Sequence, residues 1–96
     1  MKMVMLVFNE ALGEEVMEMM KSCGASNYTR INGVFGRGER SGTHLGTDVW
    51  PGRNDVLFVA VSDDEAKKAV VCVNKMRQTL GTEGIKAFVW PLDEMT

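Results

Sequence analysis

The residues with most chemistry to offer lie between Gly33 and Asn54, a stretch reading GVFGRGERSGTHLGTDVWPGRN. It holds six of the chain's ten glycines, three of its eleven basic residues and its only histidine. Glycine-rich backbone leaves amides free to point at a ligand, and Arg37, Arg40 and Arg53 bring guanidinium forks; phosphates and carboxylates are bound by such groups. Glu39 and Asp48 offset two of these charges, so Arg37 to Asn54 carries +1 and the remainder −3, against a formal total of −2. An acidic body with a mildly basic loop suits a small anion. Nucleic acids and anionic membranes require clustered Lys and Arg, which this chain lacks. His44, with only Asp48 near it in sequence, falls short of the ligand cluster of a zinc site. It reads as a solvated loop histidine unless a threefold axis gathers three copies. Trp50-Pro51-Gly52 reads as a turn whose Trp packs back on the body, the alternative being an anchor for a protein partner.

The flanking elements must hold this stretch, and their periodicities are clear. Lys2 to Phe8 is a short, almost unbroken apolar run, the pattern of a strand covered on both faces. From Asn9 to Gly24, Leu12, Val16, Met19, Met20 and Cys23 recur along one helical face. Asn9 suits the N-cap and Gly24 the left-handed stop, while Gly13 weakens the helix slightly. Tyr28 to Phe35 alternates, placing Thr29, Ile31, Gly33 and Phe35 on one face of a strand. Asp55 to Val61 is a second continuous apolar strand. Ser62-Asp63-Asp64-Glu65 is a capping-box signature, followed by Ala66, Ala69, Val70, Val73, Met76 and Leu80 at helical spacing. Ile85 to Trp90 is the last strand, and the acidic end from Leu92 to Thr96 is expected to fray.

Ninety-six residues allow one domain, spanning 1–96. The order β-α-β-β-α-β defines an α+β class, the ferredoxin-like sandwich: a four-stranded antiparallel sheet with two helices on one face and a long insertion between strands 2 and 3. Strands 1 and 3 are apolar on both faces, so a lone chain would leave a large apolar face bare. A homo-oligomer burying sheet against sheet is the expectation. Cys23 and Cys72 fall on the apolar sides of the two helices and, with no dense cysteine pattern, read as reduced core thiols. The longest apolar run, Met3 to Phe8, is too short to cross a bilayer and has no cleavage-like site after it, which fits the cytoplasm.

Three places in the chain resemble the nitrogen regulatory protein P-II superfamily, over nearly its whole length. Val34-Phe35-Gly36-Arg37 is similar to the Phe-Gly-Arg with which that family enters its T-loop. The insertion running to Asn54 is similar to the T-loop itself. Thr82-Glu83-Gly84-Ile85-Lys86-Ala87-Phe88-Val89-Trp90-Pro91-Leu92-Asp93-Glu94 resembles the family's B-loop, its Lys-x-Phe-Val and its Pro-x-Glu-like close. The resemblance implies a homotrimeric signalling protein that binds a small anion, adenine nucleotide or carboxylate, in clefts between subunits. Gly36, Arg37 and Gly38 would form the T-loop base, with Thr82, Gly84 and Lys86 on the B-loop side and Lys86 facing phosphate. It further implies that loop 37–54 engages a protein partner, a membrane transporter or an enzyme. Gly38 stands where members sensing 2-oxoglutarate carry Gln, and no Tyr lies between Arg37 and Asn54. Metal-linked 2-oxoglutarate binding and tyrosine modification are therefore not implied.

The alternative is a trimeric metal-binding protein similar to the CutA group, with His44 as ligand. Catalysis ranks lowest. No His or Cys pair supplies a nucleophile and its base, Phe8-Asn9-Glu10-Ala11 lacks the anion-loop Arg of an acylphosphatase, and the Cys-x-x-Cys of a metal chaperone is missing. Stacked aromatics on a basic sheet face, the mark of an RNA-binding sheet, are missing too.

Overall fold

The computed structural model describes residues 1–25, 27–36, 53–80 and 84–96. Its elements are β1 (Lys2–Asn9), a 3-10 turn (Glu10–Leu12), α1 (Gly13–Ser22), β2 (Thr29–Phe35), β3 (Arg53–Val61), α2 (Asp63–Leu80) and β4 (Ile85–Pro91). The strands form one antiparallel sheet in the order β2-β3-β1-β4. This is the ferredoxin-like arrangement that the alternation of elements predicts. β3 starts at Arg53, so Arg53 and Asn54 belong to a strand and the insertion spans 37–52.

The core lies between the sheet and the helices. Val4, Leu6 and Phe8 of β1, Leu57, Val59 and Val61 of β3, and Ile85 of β4 meet Val16 and Met20 of α1 and Ala66, Ala69, Val73 and Met76 of α2. Burying apolar surface here, at roughly 25 cal/mol per Å², is the main favourable term in folding. β1 and β3 occupy the centre of the sheet, which fits their nearly continuous apolar sequence on both faces.

Local signals act as expected at the helix starts. The Asn9 side chain accepts a hydrogen bond from the Ala11 amide at 2.9 Å, but it caps the 3-10 turn, and α1 proper begins only at Gly13. Before α2, the Glu65 amide donates to Ser62 Oγ at 3.2 Å and the Ser62 amide donates to Glu65 Oε1 at 3.1 Å. The capping box is closed in both directions, and these bonds from Ser62 hold the Glu65 carboxyl below its usual range.

Three expectations need correction. Cys23 and Cys72 are joined by a disulfide between the end of α1 and the middle of α2. Helical periodicity places each cysteine near the partner helix but says nothing of whether the sulfurs meet. The second correction is in β2. Between Ile31 and Val34 the register with β3 shifts: Ile31 pairs with Val56, Val34 with Asn54 and Phe35 with Arg53. Gly33 sits in this bulge at φ +67°, a left-handed conformation that L side chains rarely adopt. The extra residue turns the strand over, so Val34 shares Ile31's face and Phe35 goes to the other. Third, the chain end does not fray at once, for the Leu92 amide donates to the Met1 carbonyl at 3.1 Å.

Replacing Ser62 by Ala is expected to lower the unfolding free energy by about 1 kcal/mol, read as a shift of the urea midpoint at neutral pH with unchanged slope.

Candidate ligand site

One end of the sheet gathers the groups that could hold an anion. The last residues of β2, the first of β3, the last of β1 and the first of β4 all lie there, as the pairings Val34 with Asn54, Asn9 with Asn54, Phe8 with Ile85 and Val7 with Lys86 require. Two bonds anchor the β4 corner. The Asn9 amide donates to the Gly84 carbonyl at 2.8 Å, and Arg77 Nη1 of α2 donates to the Ile85 carbonyl at 2.6 Å. Lys86 follows immediately and is exposed. Residues paired across strands share a face, so Lys86 sits with Val7 and Val56 on the side away from the helices. Among the described residues it is the one charged side chain that the register puts on that face.

Gly36 closes β2 at the same end. A Cβ there would come within 3.1 Å of Asn54 Nδ2, so the missing side chain lets the backbone lie against the Asn54 amide. Gly36 and Lys86 nevertheless do not converge within one chain. β2 and β4 are opposite edges with β3 and β1 between them, and three spacings of about 4.8 Å separate the edges by roughly 14 Å. Gly84 and Lys86 are together at one edge and Gly36 stands at the other. Arg37, Gly38 and Thr82 lie outside the described residues, as do His44 and Trp50. Among the described residues no group of three or more His, Cys, Asp and Glu side chains could hold a metal ion.

An open groove of about 480 Å³ runs along the other side of α1, lined by Glu10, Glu14, Met17, Glu18, Lys21 and Arg30. Three carboxylates against two cations make it a poor site for an anion. None of the expected ligand residues borders it.

The structure adds a pair that sequence reasoning missed. Asp55 is only 2% exposed. Its Oδ2 accepts from Arg30 Nη2 at 2.6 Å and its Oδ1 from the Gly33 amide at 3.0 Å. Arg30 also lies over the Phe8 ring, 5.6 Å from its centre. Gly13 makes room for it, since a Cβ at that position would be 2.9 Å from Arg30 Nη2. Burial pushes the Asp55 carboxyl up, but the Arg30 hydrogen bond, the Gly33 amide and the Arg30 charge together outweigh it and hold the carboxyl below its ordinary range. Asp55 thus ties the bulge of β2 to the start of β3, at the root of the insertion. The available signal was an Asp heading an otherwise apolar strand beside an Arg in a strand with a glycine three residues on.

A ferredoxin-like sandwich whose long β2–β3 insertion springs from a glycine-bearing strand end, with an exposed lysine at the same end of the sheet, defines one class of α+β domain. Within it, the family model described as "Nitrogen regulatory protein P-II" matches residues 1–96, and the chain belongs to that family. It is 28% identical over 97 residues to the nitrogen fixation nifHD region GlnB-like protein 1 of Methanothermococcus thermolithotrophicus, covering 98% of this chain and 90% of the relative. Among solved structures it resembles a PII-like signaling protein of Thermus thermophilus, with 26% identity, TM-score 0.61, and 93% and 83% of the two chains covered. The fold is also that of CPII from Thiomonas intermedia, a nitrogen regulatory PII-like protein solved with ADP, AMP and bicarbonate, at TM-score 0.72, 13% identity, and 95% and 88% coverage.

Removing Arg30 leaves a buried carboxylate without its cation. Arg30→Met is expected to cost about 3 kcal/mol, at the low end for broken buried pairs because the Arg side chain is 30% exposed. A carboxyl with a lowered folded-state pKa contributes stability above the pH at which it titrates in the unfolded chain, and loses it as pH falls through its folded value. Urea midpoints measured from pH 7 down to 3 should therefore fall less steeply in Asp55→Asn than in the wild type.

Proposed function

We propose that this P-II-like regulatory protein works as a homotrimer, binds a small anion in the clefts between its subunits, and signals to a protein partner through the insertion at 37–52. The observation that carries this reading is a sheet face that no described element covers, with Lys86 the one charged side chain on it among the described residues. Ile31, Phe88 and Trp90 are exposed by 46%, 44% and 40%, and Met3, Met5, Val7, Val56 and Phe58 are only half-buried. This contiguous apolar surface calls for a covering surface of similar kind, and a second and third copy supply one.

Packing of copies also answers the separation of the site residues. Within one chain the β2 and β4 edges are too far apart to share a small ligand. Where the β2 edge of one subunit approaches the β4 edge of the next, Gly36, Arg37 and Gly38 of one would face Thr82, Gly84 and Lys86 of the other. Backbone amides, a guanidinium fork and an ammonium then surround one anion, a set of donors suited to phosphate or carboxylate. The ADP, AMP and bicarbonate of the Thiomonas protein, and the acetate found with it in a related structure, belong to the same chemical class. The anchors on Gly84 and Ile85 make that corner rigid, so a ligand there would be reported by the insertion. The partner is a transporter or an enzyme, and this chain is a regulator with no catalytic step of its own. No membrane-crossing helix is present among the described residues, and the reading places the protein in the cytoplasm.

Sedimentation of the purified protein should give three times the 10.6 kDa chain mass. Calorimetry against ADP, AMP, bicarbonate and acetate should show binding to at least one of them. Lys86→Ala and Arg37→Ala should each weaken it by roughly tenfold or more, about 1.4 kcal/mol, with the trimer intact. A monomer at micromolar concentration, or unchanged binding in both variants, would overturn the reading.

A further inference from the structure

Cys23 and Cys72 have no part in the ligand reading, yet they form the covalent link between the two helices, joined across a sequence separation of 49. Cys23 is the C-cap of α1 and Cys72 sits near the middle of α2. Neither belongs to the buried core, and both are half-buried. Both helices rest on the sheet, α2 on β4 and β1 and α1 on β1, and Val16 and Met20 of α1 share the core cluster with Ala66, Ala69 and Val73 of α2. A void of about 10 Å³ lies between the sheet and the helices, with Val59, Val61, Met20, Cys23, Glu65 and Ala69 on its wall. The sulfur bridge adds a covalent constraint on the helices' spacing to this shared core.

The two sulfurs stand in different fields. Lys68 and Lys75 lie one helical turn before and after Cys72, on its side of α2. Cys23 is at the negative end of α1, and Glu65 shares the void with it. A developing negative charge is better accommodated on the sulfur of Cys72.

We propose that Cys23–Cys72 is a thiol–disulfide exchange site whose redox state decides how firmly α1 is held against the rest of the domain, with a dithiol as reductant. The thiolate of the dithiol attacks Sγ of Cys23. The S–S bond breaks, and its electron pair leaves on Sγ of Cys72, which is protonated to the thiol. The second thiolate of the reductant then attacks the mixed disulfide, releasing Cys23 as a thiol and leaving the reductant as its own disulfide. Two electrons and two protons pass from the dithiol to the chain. Because the core excludes both cysteines, the reduced domain keeps its fold while α1 loosens. In a reducing compartment, disulfides of this kind are typically transient or sensing.

The test uses the air-oxidised 96-residue chain and dithiothreitol in native buffer. Thiol counts should rise from zero to two per chain while far-UV circular dichroism is retained. Amide hydrogen exchange should quicken by roughly tenfold or more over Gly13–Ser22 with β1 and β3 still protected, and Tm should fall by roughly 10 °C or more. Oxidised glutathione should reverse these changes, and the double variant Cys23→Ser/Cys72→Ser should match the reduced state with or without reagent. Iodoacetamide should modify Cys72 in Cys23→Ser faster than Cys23 in Cys72→Ser. Two free thiols in the air-oxidised protein, reduction only after unfolding, loss of the fold on reduction, or exchange that quickens equally in every element would each overturn the proposal.

Discussion

A four-stranded sheet has two faces, and a chain of this size supplies helices for only one of them. α1 and α2 cover the side bearing Val4, Leu6, Leu57 and Val59, which packs to near-complete exclusion of water. The other side carries residues just as apolar, from Met3 and Met5 to Phe58 and Phe88. Since burial of such surface dominates folding and association alike, this imbalance governs what the molecule can be. It accounts for the expected association and for the location of the proposed ligand cleft, at the seams that association would create.

At the open end of the sheet a different force takes over. The buried carboxylate of Asp55 can be accommodated only because a guanidinium and an amide face it, and both come from β2. Their convergence needs the bulge at Gly33, which turns the strand's last residues over and delivers Gly36 beside Asn54. Ion pairing, bulge and glycine placement are thus a single arrangement that determines how the chain leaves the sheet.

Much of the architecture was legible in the residue order because it rests on short-range periodicity. Apolar runs at Lys2–Phe8 and Asp55–Val61, helical spacing after Asn9 and Ser62, and the capping box are all local patterns, and all appear in the structure. What could not be read depends on contacts between distant parts. The alternation of β2 does not continue through Gly33, where one inserted residue reverses it, and the partner of Arg30 is 25 positions away, beyond any local pattern. The disulfide likewise joins cysteines 49 positions apart. Of the expected ligand residues, Gly36, Gly84 and Lys86 stand at one end of the sheet, on two edges that no local pattern could have distinguished. The chain's resemblance to P-II proteins was carried by a few short motifs around these positions, and the whole-chain family match supports it.

The bulge at Gly33 bears on how such proteins diversify. With Asp55 gripping β2 on the sheet side of the exit, the pairing of β2 with β3 is determined before the chain departs and again only after it returns at Arg53. Segments of other length or composition could be spliced between those points without disturbing the frame, as interchangeable heads on a common handle. Recognition of new targets would then evolve separately from folding.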